Sequence, residues 1–146
     1  MNAKNPGKSI LECLRKEQVC FKKLIAKLWE QKEAISAEDE TRLLQIVEGK
    51  NVLIEEFQKI DGKIESQLQL LSPKEIERLA QEAEAMKADL EHALETIIGL
   101  EEECEKEIGL KMKQIKEKVQ GLKKGKIIAK GYGLRPRVKP IISRNV

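Results

Sequence analysis

Residues 72–124 read SPKEIERLAQEAEAMKADLEHALETIIGLEEECEKEIGLKMKQIKEKVQGLKK. Ser72 is placed to cap a helix, Pro73 takes the first helical position, where its missing N–H does no harm, and Glu75 can close a capping box. An apolar seam follows in steps of three, four or seven: Ile76, Leu79, Ala83, Met86, Leu90, Leu94, Ile97, Leu100, Cys104, Ile108, Ile115 and Leu122. That period is helical and leans toward the 3.5-residue repeat of supercoiled helices. No proline interrupts before Pro136. One long helix is therefore predicted over 73–124, with Gly121 and Gly125 at a fraying end.

Two shorter helices are predicted upstream. The first spans 8–35, with a seam of Ile10, Leu14, Phe21, Leu24, Leu28 and Ile35. Leu11, Cys20, Ile25 and Trp29 widen it, so Trp29 is read as a seam residue near the helix end. In AISAEDETRLL (34–44) the chain turns and restarts: Ser36 is a capping acceptor, and Glu38 and Asp39 suit the positive end of a helix dipole. The second helix is predicted over 37–71, with Leu43, Ile46, Leu53, Phe57, Ile60 and Ile64 on one line and Val47, Ile54, Leu68 and Leu71 beside it. Gly49, in its middle, costs roughly 1 kcal/mol against alanine.

The expected fold is all-α: an elongated antiparallel bundle of three helices, the third much longer. Residues 1–7 form a flexible N-terminus, 8–124 the helical domain and 125–146 a flexible basic tail. At 1.5 Å per residue the helices would measure about 42, 52 and 78 Å. Short turns make consecutive helices antiparallel neighbours, so the third pairs with the second up to Glu107 and then overhangs. The overhang keeps an apolar stripe of Ile108, Met112, Ile115, Val119 and Leu122. An apolar stripe with no partner inside the chain implies one outside it, or self-association into a homo-oligomer.

The composition supports this reading. Aromatics make up 3% and charged residues 36% of the chain, too little bulk for a thick globular core but suited to amphipathic helices. No apolar run reaches the roughly 18 residues of a membrane span, and MNAKNPGKSI at the start has no hydrophobic signal region. A cytoplasmic location is the expectation. Cys13, Cys20 and Cys104 have neither metal nor redox spacing and are read as reduced core residues.

The charge is unevenly placed. The 28 basic and 25 acidic residues divide as 19 and 25 up to Glu117 and as nine and none beyond it. Such a split marks an interaction tail.

Catalytic chemistry is not expected. His92 is the only histidine and lies among charged neighbours on the third helix. Glu101, Glu102 and Glu103 fan around a helix and cannot converge on one substrate. GLKKGK (121–126) is one residue short of a phosphate loop, and Ile127 stands where a magnesium-binding Ser or Thr is needed. No metal or cofactor is expected.

LIAKLWEQKEAI (24–35), RLLQIVEGKNVLIEEFQKID (42–61) and KKGKIIAKGYG (123–133) together resemble the FlgN family of flagellar export chaperones, over essentially the whole chain. The resemblance implies a small cytoplasmic protein that binds the C-terminal amphipathic helical segments of the hook–filament junction proteins FlgK and FlgL. It would prevent their premature assembly and deliver them to the flagellar type III export gate. The client helix would complete a bundle with the free apolar face, as in other helix-in-groove recognition, and Met86 and Met112 suit a surface that accepts more than one client. In the family the region after the third helix is implicated in contact with the export gate's cytoplasmic domain, with a tyrosine as anchor; Tyr132, held in KGYGL (130–134), matches it. Two other readings compete. One is a generic coiled-coil scaffold or cell-division adaptor. The other is a nucleic-acid-binding protein that uses the basic tail, with steeply salt-dependent affinity.

Overall fold

The structure is a computed structural model that describes residues 5–124, with side chains through Gly121. Among the described residues there is no strand. Four helices account for nearly all of them: α1 (Pro6–Ser36), α2 (Glu40–Leu68), α3 (Pro73–Glu82) and α4 (Glu84–Lys124). Among the described residues no helix is long and apolar enough to cross a membrane. The predicted tail, 125–146, lies outside the described residues.

α1 begins earlier than its seam indicates. Asn5 is its N-cap, the Asn5 side chain accepts from the Gly7 and Lys8 amides, and Pro6 opens the helix. Cap and proline together satisfy the orphan donors of the first turn, so the helix starts before its first apolar residue.

The turn between α1 and α2 is a Schellman motif. The Asp39 amide donates to Ala34 O at 2.9 Å and the Glu38 amide to Ile35 O at 3.0 Å. This places Glu38 at φ 55°, the left-handed conformation for which glycine is the usual occupant. Ser36 is therefore the last residue of α1, not a cap. Asp39 takes that role for α2, accepting from the Arg42 amide at 3.1 Å. At the far end α2 stops at Leu68, short of Leu71. The Leu70 and Leu71 amides bond three residues back, which tightens the chain into the Ser72 cap. There the capping box forms: Glu75 N donates to Ser72 Oγ and Ser72 N to the Glu75 carboxylate.

The single long third helix is corrected to two. The ladder is interrupted at Ala83, with φ −91° and ψ 1°. Neither proline nor glycine lies at the break, and alanine is the best helix former, so local propensity does not cause it. Tertiary packing does: Leu79 and Ala83 are both buried at 7% exposure, and α3 lies against the first turns of α1 while α4 follows its remainder. The backbone bonds on either side persist, Ala83 N to Leu79 O and Lys87 N to Ala83 O.

The expected pairing of the third rod with the second is also corrected. α1 is the central helix and carries the principal contacts of both α2 and α4. Gln18 bonds Asp89, Lys32 bonds Glu103 and Ser36 bonds Glu107, each pair 71 positions apart. A constant offset means that α1 and α4 run parallel. Across α1 and α2 the separation widens from 9 at Arg42–Glu33 to 19 at Lys50–Gln31, as it must for antiparallel helices. The physical reason is the width of the α1 stripe, which offers apolar residues to both neighbours. Near the turn, Ala34, Ile35, Leu43, Ile46, Val47, Cys104 and Ile108 form one cluster. Below it Phe21, Leu28, Ile97 and Leu100 form a second. Phe57 joins the second by stacking on Phe21, ring centroids 4.9 Å apart.

Candidate functional site: a polar lock and the projecting end of α4

Between the two clusters the three rods are joined by polar side chains. Lys50 of α2 donates to Gln31 Oε1 of α1 at 2.8 Å and to Glu101 Oε2 of α4 at 2.8 Å. Gln31 Nε2 closes the ring on Glu101 Oε1 at 3.0 Å. The exposures are 1%, 0% and 5% for Lys50, Gln31 and Glu101, so solvent contributes little to satisfying them. Every bond crosses between helices. Sliding any one of them by a heptad would leave a buried charge without its partner, which costs several kcal/mol. Glu101 thus turns into the bundle, whereas Glu103 bonds Lys32 at 2.7 Å on the surface and Glu102 is exposed.

A second buried polar group lies lower on α1. Glu17 is 4% exposed, and its Oε2 has no hydrogen-bond partner. Burial, and then the Asp61 carboxylate on α2, push its pKa up to about 7. The cysteines are free and buried. Burial raises the Cys20 and Cys104 thiols above their ordinary values, which favours the protonated, unreactive form. Among the described residues no group of His, Cys, Asp and Glu is arranged to hold a metal ion.

Above the lock, α4 outruns its support. Ser36, the last residue of α1, is level with Glu107, and Glu38 in the turn reaches Lys111 at 3.6 Å. Met112, half-buried, is packed against the upper cluster. Beyond it Lys113–Lys124 extends about 18 Å at 1.5 Å per residue. The residues singled out by sequence for a client therefore divide. Ile108 is enclosed in the core at 6% exposure and belongs to the bundle rather than to a free surface. Met112 lies at the boundary. Ile115 is 42% exposed and Val119 half-buried, both on the projecting end. Leu122 is helical in backbone, but its side chain lies outside the described residues, as does all of Tyr132.

Trp29 is not in the seam. It is 52% exposed, and the Lys32 ammonium sits 5.3 Å from its ring centroid. His92 is exposed beside Gln18 and Lys22 at the α1–α4 seam.

Sequence reasoning missed Gln31, Lys50, Glu101 and Glu17 as core residues. A signal was present. The α1 seam skips from Leu14 to Phe21 and from Leu28 to Ile35, and the α2 seam from Ile46 to Leu53. The vacant heptad positions are filled by Glu17, Gln31 and Lys50. A polar residue in a seam gap is a candidate for a buried specificity device.

The chain matches no protein-family model, no curated protein and no solved structure.

Proposed function

We propose that this chain is a cytoplasmic export chaperone of the FlgN type. It binds the C-terminal amphipathic helical segments of FlgK and FlgL, holds them from premature assembly and delivers them to the flagellar type III export gate. It acts by binding and carries out no chemistry. The observation that supports the reading is that the apolar stripe continues on α4, through Ile115 and Val119, after the helices that would cover it have ended. An amphipathic client helix laid there would replace the missing bundle neighbour. The sequence resemblance supplies the identity of the client.

The test is calorimetry with the C-terminal segments of FlgK and FlgL. Ile115→Asp sets a charge in the stripe and should weaken binding more than about tenfold, since an unpaired charge buried at an interface costs several kcal/mol. The thermal transition of the bundle should barely move. Undiminished binding would place the client elsewhere.

Tyr132 is proposed as the anchor to the export gate. Tyr132→Ala should then lose gate binding and motility while the client is still held. Changing Lys126 and Lys130 together to Ser should mainly slow association and flatten its salt dependence. Strong retention on a nucleic-acid column at about 0.15 M salt, with Tyr132→Ala silent, would favour the nucleic-acid reading instead.

A further inference from the structure

The charges beside the projecting stripe specify what can lie on it. Ile108, Met112, Ile115 and Val119 follow each other at steps of four, three and four, so they fill alternating a and d positions of a heptad repeat. The positions that flank such a seam, e and g, then fall at Gly109, Lys111, Lys116 and Lys118. All the charged ones are lysines. Glu117 and Lys113 lie on the opposite face by the same count. Lower on the same helix the charge has the other sign, with Glu101, Glu102, Glu103, Glu105 and Glu107 and Glu101 and Glu103 already bonded within the bundle. Of this basic rim, Lys116 and Lys118 lie on the end that outruns the bundle, and Lys111 is level with the α1–α2 turn, beside Glu38.

In paired helices, residues at e and g meet across the seam and choose the partner, attracting opposite charge and repelling like charge. A second copy of this chain would bring the same lysines to the same seam. In a parallel pair Lys111, at g, faces the copy's Lys116, at e, and in an antiparallel pair like flanks face each other; both arrangements oppose lysine to lysine. We infer that the projecting end of α4 is an acceptor for an acidic amphipathic helix, with apolar residues at its a and d positions and Glu or Asp at e and g, and that it rejects its own copy. This rests on the proposed client site and deepens it by naming the partner's charge pattern. Lys111 already has the Glu38 carboxylate at 3.6 Å, exposed on the Glu38 side, so Lys116 and Lys118 carry the larger share of the discrimination.

The experiment uses the full chain and three labelled helical peptides read by fluorescence anisotropy. All have three heptads. One has Leu at a and d with Glu at e and g; one has the same seam with Lys at e and g; the third is a scramble of the acidic peptide that lacks the seam. The acidic seam peptide should bind at least about tenfold tighter than the basic one, and tighter than the scramble, which reports on charge attraction to the basic C-terminal segment alone. Reversing the rim, with Lys111, Lys116 and Lys118 all changed to Glu, should invert the preference while leaving the C-terminal segment untouched. Sedimentation should find the wild-type chain monomeric.

Equal binding of the acidic and basic seam peptides, both lost in Ile115→Asp, would overturn the charge rule and leave the client site standing. No binding of either seam peptide beyond that of the scramble would overturn both. A wild-type dimer that dissociates in Ile115→Asp would show the second copy to be the occupant and overturn the rejection.

Discussion

Lys50 and Glu101, 51 positions apart, meet with Nζ and Oε2 2.8 Å from each other, and their side chains are only 1% and 6% exposed. With Gln31 they form, among the described residues, the one place where all three rods are tied by directed bonds. Apolar contacts alone would tolerate a heptad slip, because the seams repeat. The polar lock does not, and it fixes the parallel register in which α4 extends beyond α1.

Removing one member should cost far more than removing all. Lys50→Met strands the Glu101 carboxylate and should destabilise the fold by about 3–5 kcal/mol. The triple variant Gln31→Leu, Lys50→Met, Glu101→Leu should be neutral or more stable than the parent, by up to about 4 kcal/mol. Urea unfolding followed by circular dichroism measures both. A Lys50→Met loss below about 1 kcal/mol would mean that water reaches the site.

Glu17 should make stability depend on pH. Its folded pKa, about 7, lies above the ordinary 4.5, so the folded state holds a proton that the unfolded chain releases. Stability is then fully present below about 4.5 and is lost as pH rises through 7. The loss should be about 1–3 kcal/mol, because solvent at the exposed Asp61 screens part of the effect. Glu17→Gln should flatten the slope over this window and be more stable than the parent at pH 8. An unchanged slope in the variant would assign the dependence to other groups.

Glu38 holds a left-handed conformation at φ 55°, which costs a non-glycine residue roughly 1 kcal/mol. Glu38→Gly should raise stability by about that amount, less the small contribution of the exposed ion pair with Lys111. Thermal unfolding would register an upward shift. A downward shift would show that the ion pair to α4 outweighs the backbone term.

The helices were largely legible in the sequence because each signal was local. Ser72, Pro73 and Glu75 sit within one turn and form their capping box without help from elsewhere. The break at Ala83 was not legible, since alanine promotes helix and only the fit of Leu79 and Ala83 against the bundle interrupts it. Nor was the partner of the third rod, because pairing depends on how wide a stripe α1 offers to both sides. Ile108 carries the same apolar pattern as Ile115, yet one is enclosed and the other exposed. The difference is where α1 and α2 end in space, which the pattern along α4 does not contain.

Amide hydrogen exchange on the full chain tests the central claim most directly. In the free protein the amides of 113–124 should exchange much faster than those around Gln31, Lys50 and Glu101, where the lock holds the rods together. Adding the C-terminal helical segment of FlgK or FlgL should slow exchange across 113–124 and leave α1 and α2 below the lock unchanged. Protection confined to the α1–α2 pair, or no new protection at saturating client, would contradict the assignment of the projecting end of α4 as the binding surface.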